Sequence, residues 1–88
     1  MPYIKQERRS ELDKDNQLEM IGLGCQSEGD LNFVLTSICK GYLEQVPNKS
    51  YARYNQVMGV LLCCALELYR KPVANYEEKK EEENGSVW

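Results

Sequence analysis

The stretch that decides the fold is VMGVLLCCALELY, residues 57–69. It carries one charged side chain, Glu67, and its apolar residues point in every direction when they are placed on a helix. A helix that is apolar on all sides is normally buried on all sides. A chain of only 88 residues must therefore provide, or recruit, an unusually complete cover for this segment.

The residues on either side extend this segment into a predicted helix over 51–71. Ser50 is a suitable N-cap for it, and Pro72 should interrupt or kink it because proline lacks a backbone N–H. One face of the helix groups the residues that would pack within the chain: Tyr54, Val57, Met58, Leu61, Ala65, Leu68 and Tyr69. The apolar residues that point elsewhere are Val60, Leu62, Cys63 and Leu66.

The other segments also have helical composition. Apolar residues recur at three- and four-residue steps in DLNFVLTSICKGYLEQV, whereas QERRSELDKDNQLEMIGL is rich in long, straight side chains that favour helices. Ser27 or Gly29 is expected to cap the former segment, and Asp13, Asp15 and Asn16 are able to divide the latter. The predicted segments are an extended arm over 1–5, helices over 6–23, 30–46 and 51–71, a helical extension over 72–84 and a tail over 85–88.

These segments predict a single all-α domain. A short N-terminal helix precedes a helical hairpin, made by 30–46 and 51–71, and the C-terminal helical extension follows it. One short helix and one hairpin partner cannot enclose the apolar helix, so we expect a homo-oligomer in which other subunits cover it. Gly59 fits this expectation because a residue without a side chain lets another backbone approach. The alternative is a monomer in which the N-terminal helix covers the same surface.

Charge and hydropathy restrict the classes of partner. The formal net charge is −3 and the pI is about 5.0, so we expect no DNA binding, which normally requires a basic surface. No segment approaches the roughly 18 apolar residues that a membrane helix needs. The N-terminal residues lack the apolar core of a secretory leader, so a cytoplasmic protein with reduced cysteines is expected.

Residues suited to catalysis or metal binding are few. The chain has no histidine, which removes the commonest general base and a common zinc ligand. Cys63 and Cys64 are adjacent, so their side chains point in different directions on a helix. Together with Cys39 they are interpreted as small core residues. Cys25 lies in a glycine-rich loop. We therefore expect no enzyme activity, no metal site and no cofactor.

Aromatic residues beside cations are the candidate ligand-binding groups. A tyrosine ring can stack on a base, and lysine or arginine can hold a phosphate. Asn55 joins them because a polar side chain between apolar helix turns needs a hydrogen-bond partner. The alternative is that the tyrosines are amphipathic packing residues and the cations are solvated. The selected residues are Tyr3, Lys5, Arg8, Tyr54, Asn55, Arg70, Tyr76 and Lys80.

Four stretches resemble a family of short, uncharacterised proteins of phages and bacteria. They are MPYIKQERR at the start, GDLNFVLT, YARYNQVMGVL, and LELYRKPVANYEEKKEEENGSV near the end. The likeness covers nearly the whole length and implies a complete small protein, but it implies no reaction. The glycine-rich stretch GLGCQ and the final Trp88 depart from the family pattern. In architecture alone, the chain also resembles phage proteins that sequester nucleotide messengers of bacterial immunity.

Three functions are compatible with these features. The first is sequestration of a nucleotide-derived immune signal, a cyclic oligonucleotide or an ADP-ribose-type molecule, in the cytoplasm of a phage-infected host. The second is a helical interaction protein that binds and inhibits a host protein, with the acidic run 77–83 and the residues Val87 and Trp88 as its contacts. The third is an enzyme that acts on a nucleotide through carboxylates alone. We expect the first, with protein binding as the alternative.

Overall fold

The computed structural model describes residues 2–88, which are helical with no β-strand among them, so the predicted all-helical class is confirmed. The chain divides into two units, Pro2–Tyr54 and Asn55–Trp88. A 3₁₀ turn at Lys14–Asn16 and a π-helical turn at Tyr69–Val73 interrupt the α-helices. These are α1 (Gln6–Leu12), α2 (Gln17–Gly24), α3 (Glu28–Leu43), α4 (Tyr51–Leu68) and α5 (Ala74–Asn84).

The helix expected over 6–23 is divided in the structure. Asp15 and Asn16 have φ values of 60° and 54°, in the left-handed region that short polar residues tolerate best. The Asp13 carboxylate accepts a hydrogen bond of 3.0 Å from the backbone N–H of Leu18, in the first turn of α2. The break therefore falls at the residues whose side chains compete with helical hydrogen bonding.

α3 begins at a reciprocal pair of side-chain caps. The Ser27 hydroxyl oxygen accepts a hydrogen bond of 3.1 Å from the Asp30 N–H, and the Asp30 carboxylate accepts one of 2.9 Å from the Gln26 N–H. Ser27, one of the two predicted caps, is thus the N-cap, and the helix starts two residues before position 30. It ends at Leu43 instead of 46. Val46 itself is disfavoured in helical conformation because Pro47 follows it.

One arginine ties the end of α3 to the start of α4 within the first unit. The Arg53 N–H donates to the Ser50 hydroxyl at 3.2 Å, so Ser50 caps α4 as predicted. The Arg53 guanidinium then lies 4.1 Å from the centre of the Tyr42 ring. Its Nη2 donates to the Tyr42 carbonyl oxygen at 3.3 Å and to the Gln45 side chain at 3.2 Å.

In the second unit, Pro72 shapes the junction of α4 and α5. A proline at this position cannot donate a hydrogen bond to the carbonyl four residues earlier. The chain widens into the π-helical turn, in which the Ala74 N–H donates to the Tyr69 carbonyl oxygen, and then continues as α5. α5 stops at Gly85, whose φ of 89° favours glycine and whose N–H donates to the Glu81 carbonyl at 2.8 Å.

No residue among 2–88 is buried in the single chain. On α4, the side chains of Met58, Leu62 and Leu66 remain 60–66% exposed. The interpretation of Cys63 and Cys64 as core residues is wrong for the single chain, because both are exposed. The apolar helix that decides the fold therefore presents most of its surface to its surroundings.

Candidate functional site

The clearest association between a predicted tyrosine and a predicted cation lies on α5. Tyr76 and Lys80 are four residues apart, a spacing that places two side chains on the same helix face. The Lys80 ammonium lies 5.6 Å from the centre of the Tyr76 ring and 3.3 Å from a carboxylate oxygen of Glu83. The Tyr76 side chain is 59% exposed, so its ring is accessible to a ligand.

A second tyrosine–cation pair lies at the N-terminal arm. Tyr3 faces Arg9, whose guanidinium carbon is 5.9 Å from the centre of the ring. The Arg9 Nε donates to the Ile4 carbonyl at 2.8 Å, which holds the guanidinium beside the arm. Arg8, the arginine selected from the sequence, pairs with Glu11 one turn further along α1. Lys5 is exposed at the N-terminal end of α1.

The remaining predicted residues do not join either pair. Tyr54 and Asn55 lie at the boundary between the two units, and both are exposed. The structure shows no hydrogen bond to the Asn55 side chain within residues 2–88, so the partner expected for it is not in the described part of this chain. Arg70 pairs with Glu67 at 3.6 Å.

The carboxylates beside these cations determine how they can bind an anion. Arg8, Arg70 and Lys80 each pair with a glutamate three residues away along the chain. Exposed pairs of this kind contribute about 0.2–1 kcal/mol, so a phosphate can replace the carboxylate at little cost. The three cations can therefore still bind an anion, although a neighbouring glutamate already balances part of the charge of each.

A groove lies at the C-terminal end of the second unit, an open cavity of about 570 Å³. Glu77, Glu78 and Glu81 line it, and Lys80 is its one lining cation. The excess of carboxylates favours a cationic ligand over a phosphate. Its other lining residues are Tyr69, Ala74, Asn84, Gly85, Val87 and Trp88. We call this cavity the C-terminal groove.

Sequence reasoning missed Arg9 and Arg53 among the residues that contact tyrosines. Arg9 lies six residues after Tyr3, and the arm must be extended before the two can meet, whereas Arg53 reaches a tyrosine eleven residues away. The only available signal was the grouping of aromatic and basic residues. That signal located both regions without distinguishing the contacting arginine from its neighbours.

The described part of the chain has neither an arrangement of side chains for a metal ion nor a helix that could span a membrane. Residues 2–88 contain no group of three or more cysteine, aspartate or glutamate side chains arranged to hold a metal ion. The four cysteines are free thiols. None of the described helices combines the length and the apolar character required to cross a bilayer.

The sequence matches one known family. Residues 1–87 match the family described as domain of unknown function DUF6899, and the chain belongs to that family. This confirms the resemblance to an uncharacterised family. No curated protein and no solved structure matches the chain.

Proposed function

We propose that this member of the DUF6899 family is a non-enzymatic homo-oligomer that sequesters a nucleotide-derived signal. The ligand would be a cyclic oligonucleotide or an ADP-ribose-type molecule in the host cytoplasm, and its capture would inhibit anti-phage defence. The observation that supports a nucleotide ligand is the Tyr76–Lys80 pair, in which an ammonium lies over an exposed ring. A nucleotide carries a base that can stack on such a ring and a phosphate that can pair with such a cation.

The contribution of one such pair explains why an oligomer is part of the proposal. Stacking of a base on an aromatic side chain contributes about 1–3 kcal/mol. An exposed lysine adds less than about 1 kcal/mol, since solvent and salt screen it. One pair is then insufficient for tight capture, because micromolar affinity requires about 8 kcal/mol. Sites built from the pairs of several copies would supply the additional contacts.

Native mass spectrometry with a nucleotide panel tests this function. The panel comprises cyclic dinucleotides, cyclic trinucleotides and ADP-ribose derivatives, and the expected result is an oligomer that gains intact ligand mass. Tyr76→Ala should weaken binding about tenfold, and Lys80→Ala should weaken it up to about fivefold for each pair in the site. Lys79→Ala is the matched control, because it removes the same charge from the adjacent position of α5.

Two outcomes would count against this proposal. If Lys79→Ala and Lys80→Ala weaken binding equally, the contribution is general electrostatics and the Tyr76–Lys80 pair is not the site. If prolonged incubation converts the ligand into products, the protein is an enzyme that works through carboxylates. Recovery of unchanged ligand after denaturation agrees with sequestration.

The C-terminal groove favours a second candidate function, the binding of a basic segment of a host protein. Its three glutamates attract lysine and arginine side chains, and Tyr69 and Trp88 offer aromatic surface to their apolar stems. Deletion of 84–88 removes one wall of the groove. Loss of a captured host protein with unchanged nucleotide binding would establish this function instead of sequestration.

A further inference from the structure

The exposed apolar surface of α4 contains a stripe with the spacing of a helix-pairing seam. Asn55, Met58, Leu62 and Ala65 follow one another at three- and four-residue steps, and Gly59 and Leu66 lie beside them. All six residues belong to the second unit and all are exposed. We call this stripe the α4 seam. Spacing of this kind keeps one side of a helix against a partner helix.

Gly59 has no role in the chain's own packing. A Cβ atom built at this position meets nothing within 4 Å beyond the adjoining backbone of α4, and the residue lies in the middle of a regular helix. Glycine at such a position destabilises a helix relative to alanine. A close approach from outside the chain would account for its presence, because two helix backbones come nearest where side chains are smallest.

The exposed area exceeds what a second copy needs for a stable interface. The chain exposes 8160 Å², whereas a folded monomer of 10.2 kDa is expected to expose about 5300 Å². The excess is about 2800 Å² for each chain. A standard interface buries about 800 Å² on each partner, so a second copy needs less than a third of this excess.

The chemistry of the α4 seam is self-complementary. It contains no charged side chain, so two acidic chains can meet there without direct repulsion. Its single polar side chain, Asn55, carries both a donor and an acceptor, and the same amide on a second copy satisfies both. An asparagine in such a seam commonly fixes the register of a two-stranded pair.

We infer that the α4 seams of two copies pair in parallel, with the Asn55 amides hydrogen-bonded across a two-fold axis and the Gly59 backbones in close approach. A parallel pair places Asn55 opposite Asn55. An antiparallel pair places it opposite the apolar end of the seam and leaves two buried amides unsatisfied, which is unfavourable. This inference deepens the homo-oligomer of the proposed function and rests on it.

A matched pair of substitutions tests the face of α4. Leu62→Asp places a charge in the seam, whereas Val60→Asp places it on the same helix at nearly the same exposure, 58% against 61%, and pointing away. We expect Leu62→Asp to weaken self-association at least 100-fold, since each buried charge would be unpaired. Val60→Asp should change it less than threefold. Sedimentation velocity measures association, and circular dichroism confirms that both variants stay helical.

Complementary charges at position 55 test the orientation. Asn55→Asp and Asn55→Lys should each dissociate when alone, because like charges meet across the axis. An equimolar mixture of the two should associate again, since opposite charges then face each other. No recovery in the mixture, or a wild-type chain that is monomeric, would overturn the inference. Association without any bound nucleotide would leave the inference intact and remove the proposed ligand.

Discussion

Replacement of Arg53 by alanine should destabilise the protein more than any other single arginine substitution. Its guanidinium makes two hydrogen bonds, at 3.3 and 3.2 Å, and lies 4.1 Å from the centre of the Tyr42 ring. Each hydrogen bond contributes about 1 kcal/mol and the ring contact about 0.5–1 kcal/mol. The Arg53 Nε is buried without a hydrogen-bond partner, so its removal returns about 1 kcal/mol. The net loss is therefore about 2 kcal/mol.

Thermal unfolding followed by circular dichroism measures this loss. For a domain of this size, 2 kcal/mol corresponds to a decrease in Tm of roughly 8–16 °C. Protein concentration must be equal for all variants, because self-association stabilises the folded chain. Arg53→Lys keeps the charge beside the ring but loses the paired donors, so we expect an intermediate Tm.

The matched control is Arg70→Ala. Arg70 is exposed and makes an ion pair of 3.6 Å with the partly exposed Glu67, and its loss should cost less than about 0.5 kcal/mol. If Arg53→Ala and Arg70→Ala unfold at the same temperature, Arg53 does not hold α3 to α4 and the reasoning fails.

Three further substitutions test local features. Ser27→Ala should lower the free energy of unfolding by about 1 kcal/mol in urea, because α3 loses its cap, whereas Ser10→Ala, inside α1, should have little effect. Pro72→Ala should close the π-helical turn into regular α-helix. NMR would then show a slowly exchanging amide at position 72, and a rapidly exchanging amide there would contradict this prediction. Gly85→Ala should fray the last turn of α5, because alanine disfavours a φ of 89°, and unchanged Cα chemical shifts at 81–84 would disprove it.

Local features were predictable because they depend on few neighbouring residues. Ser27 and Ser50 were expected caps, and both accept the hydrogen bonds that define a cap. Asp13 and Asn16 were expected to divide a helix, and the chain turns there through left-handed residues. In each case the side chain competes with, or completes, the backbone hydrogen bonding of its own segment.

Features that depend on distant residues were not predictable in the same way. The contact between Arg53 and Tyr42 requires that α3 end at Leu43. The apolar pattern in the sequence continues to 46, so it does not predict that end. The exposure of Cys63 could not be predicted from the sequence. An apolar run has the same sequence pattern whether residues of its own chain or of another chain pack against it. The periodic pattern indicates that a surface will be covered, but it does not identify the cover.

The acidic charge of α5 separates the two proposed functions. The run 77–83 holds five glutamates and two lysines, a net charge of −3, and parallel pairing of α4 would bring two such runs to the same end of the assembly. The combined negative charge of the two runs would repel a nucleotide anion and attract a basic protein segment. Added salt screens both the repulsion and the attraction, with a screening length of about 10 Å at 0.1 M. Nucleotide affinity should therefore hold or increase as salt rises, whereas affinity for a basic segment should fall steeply, so a titration at two salt concentrations distinguishes the two ligands.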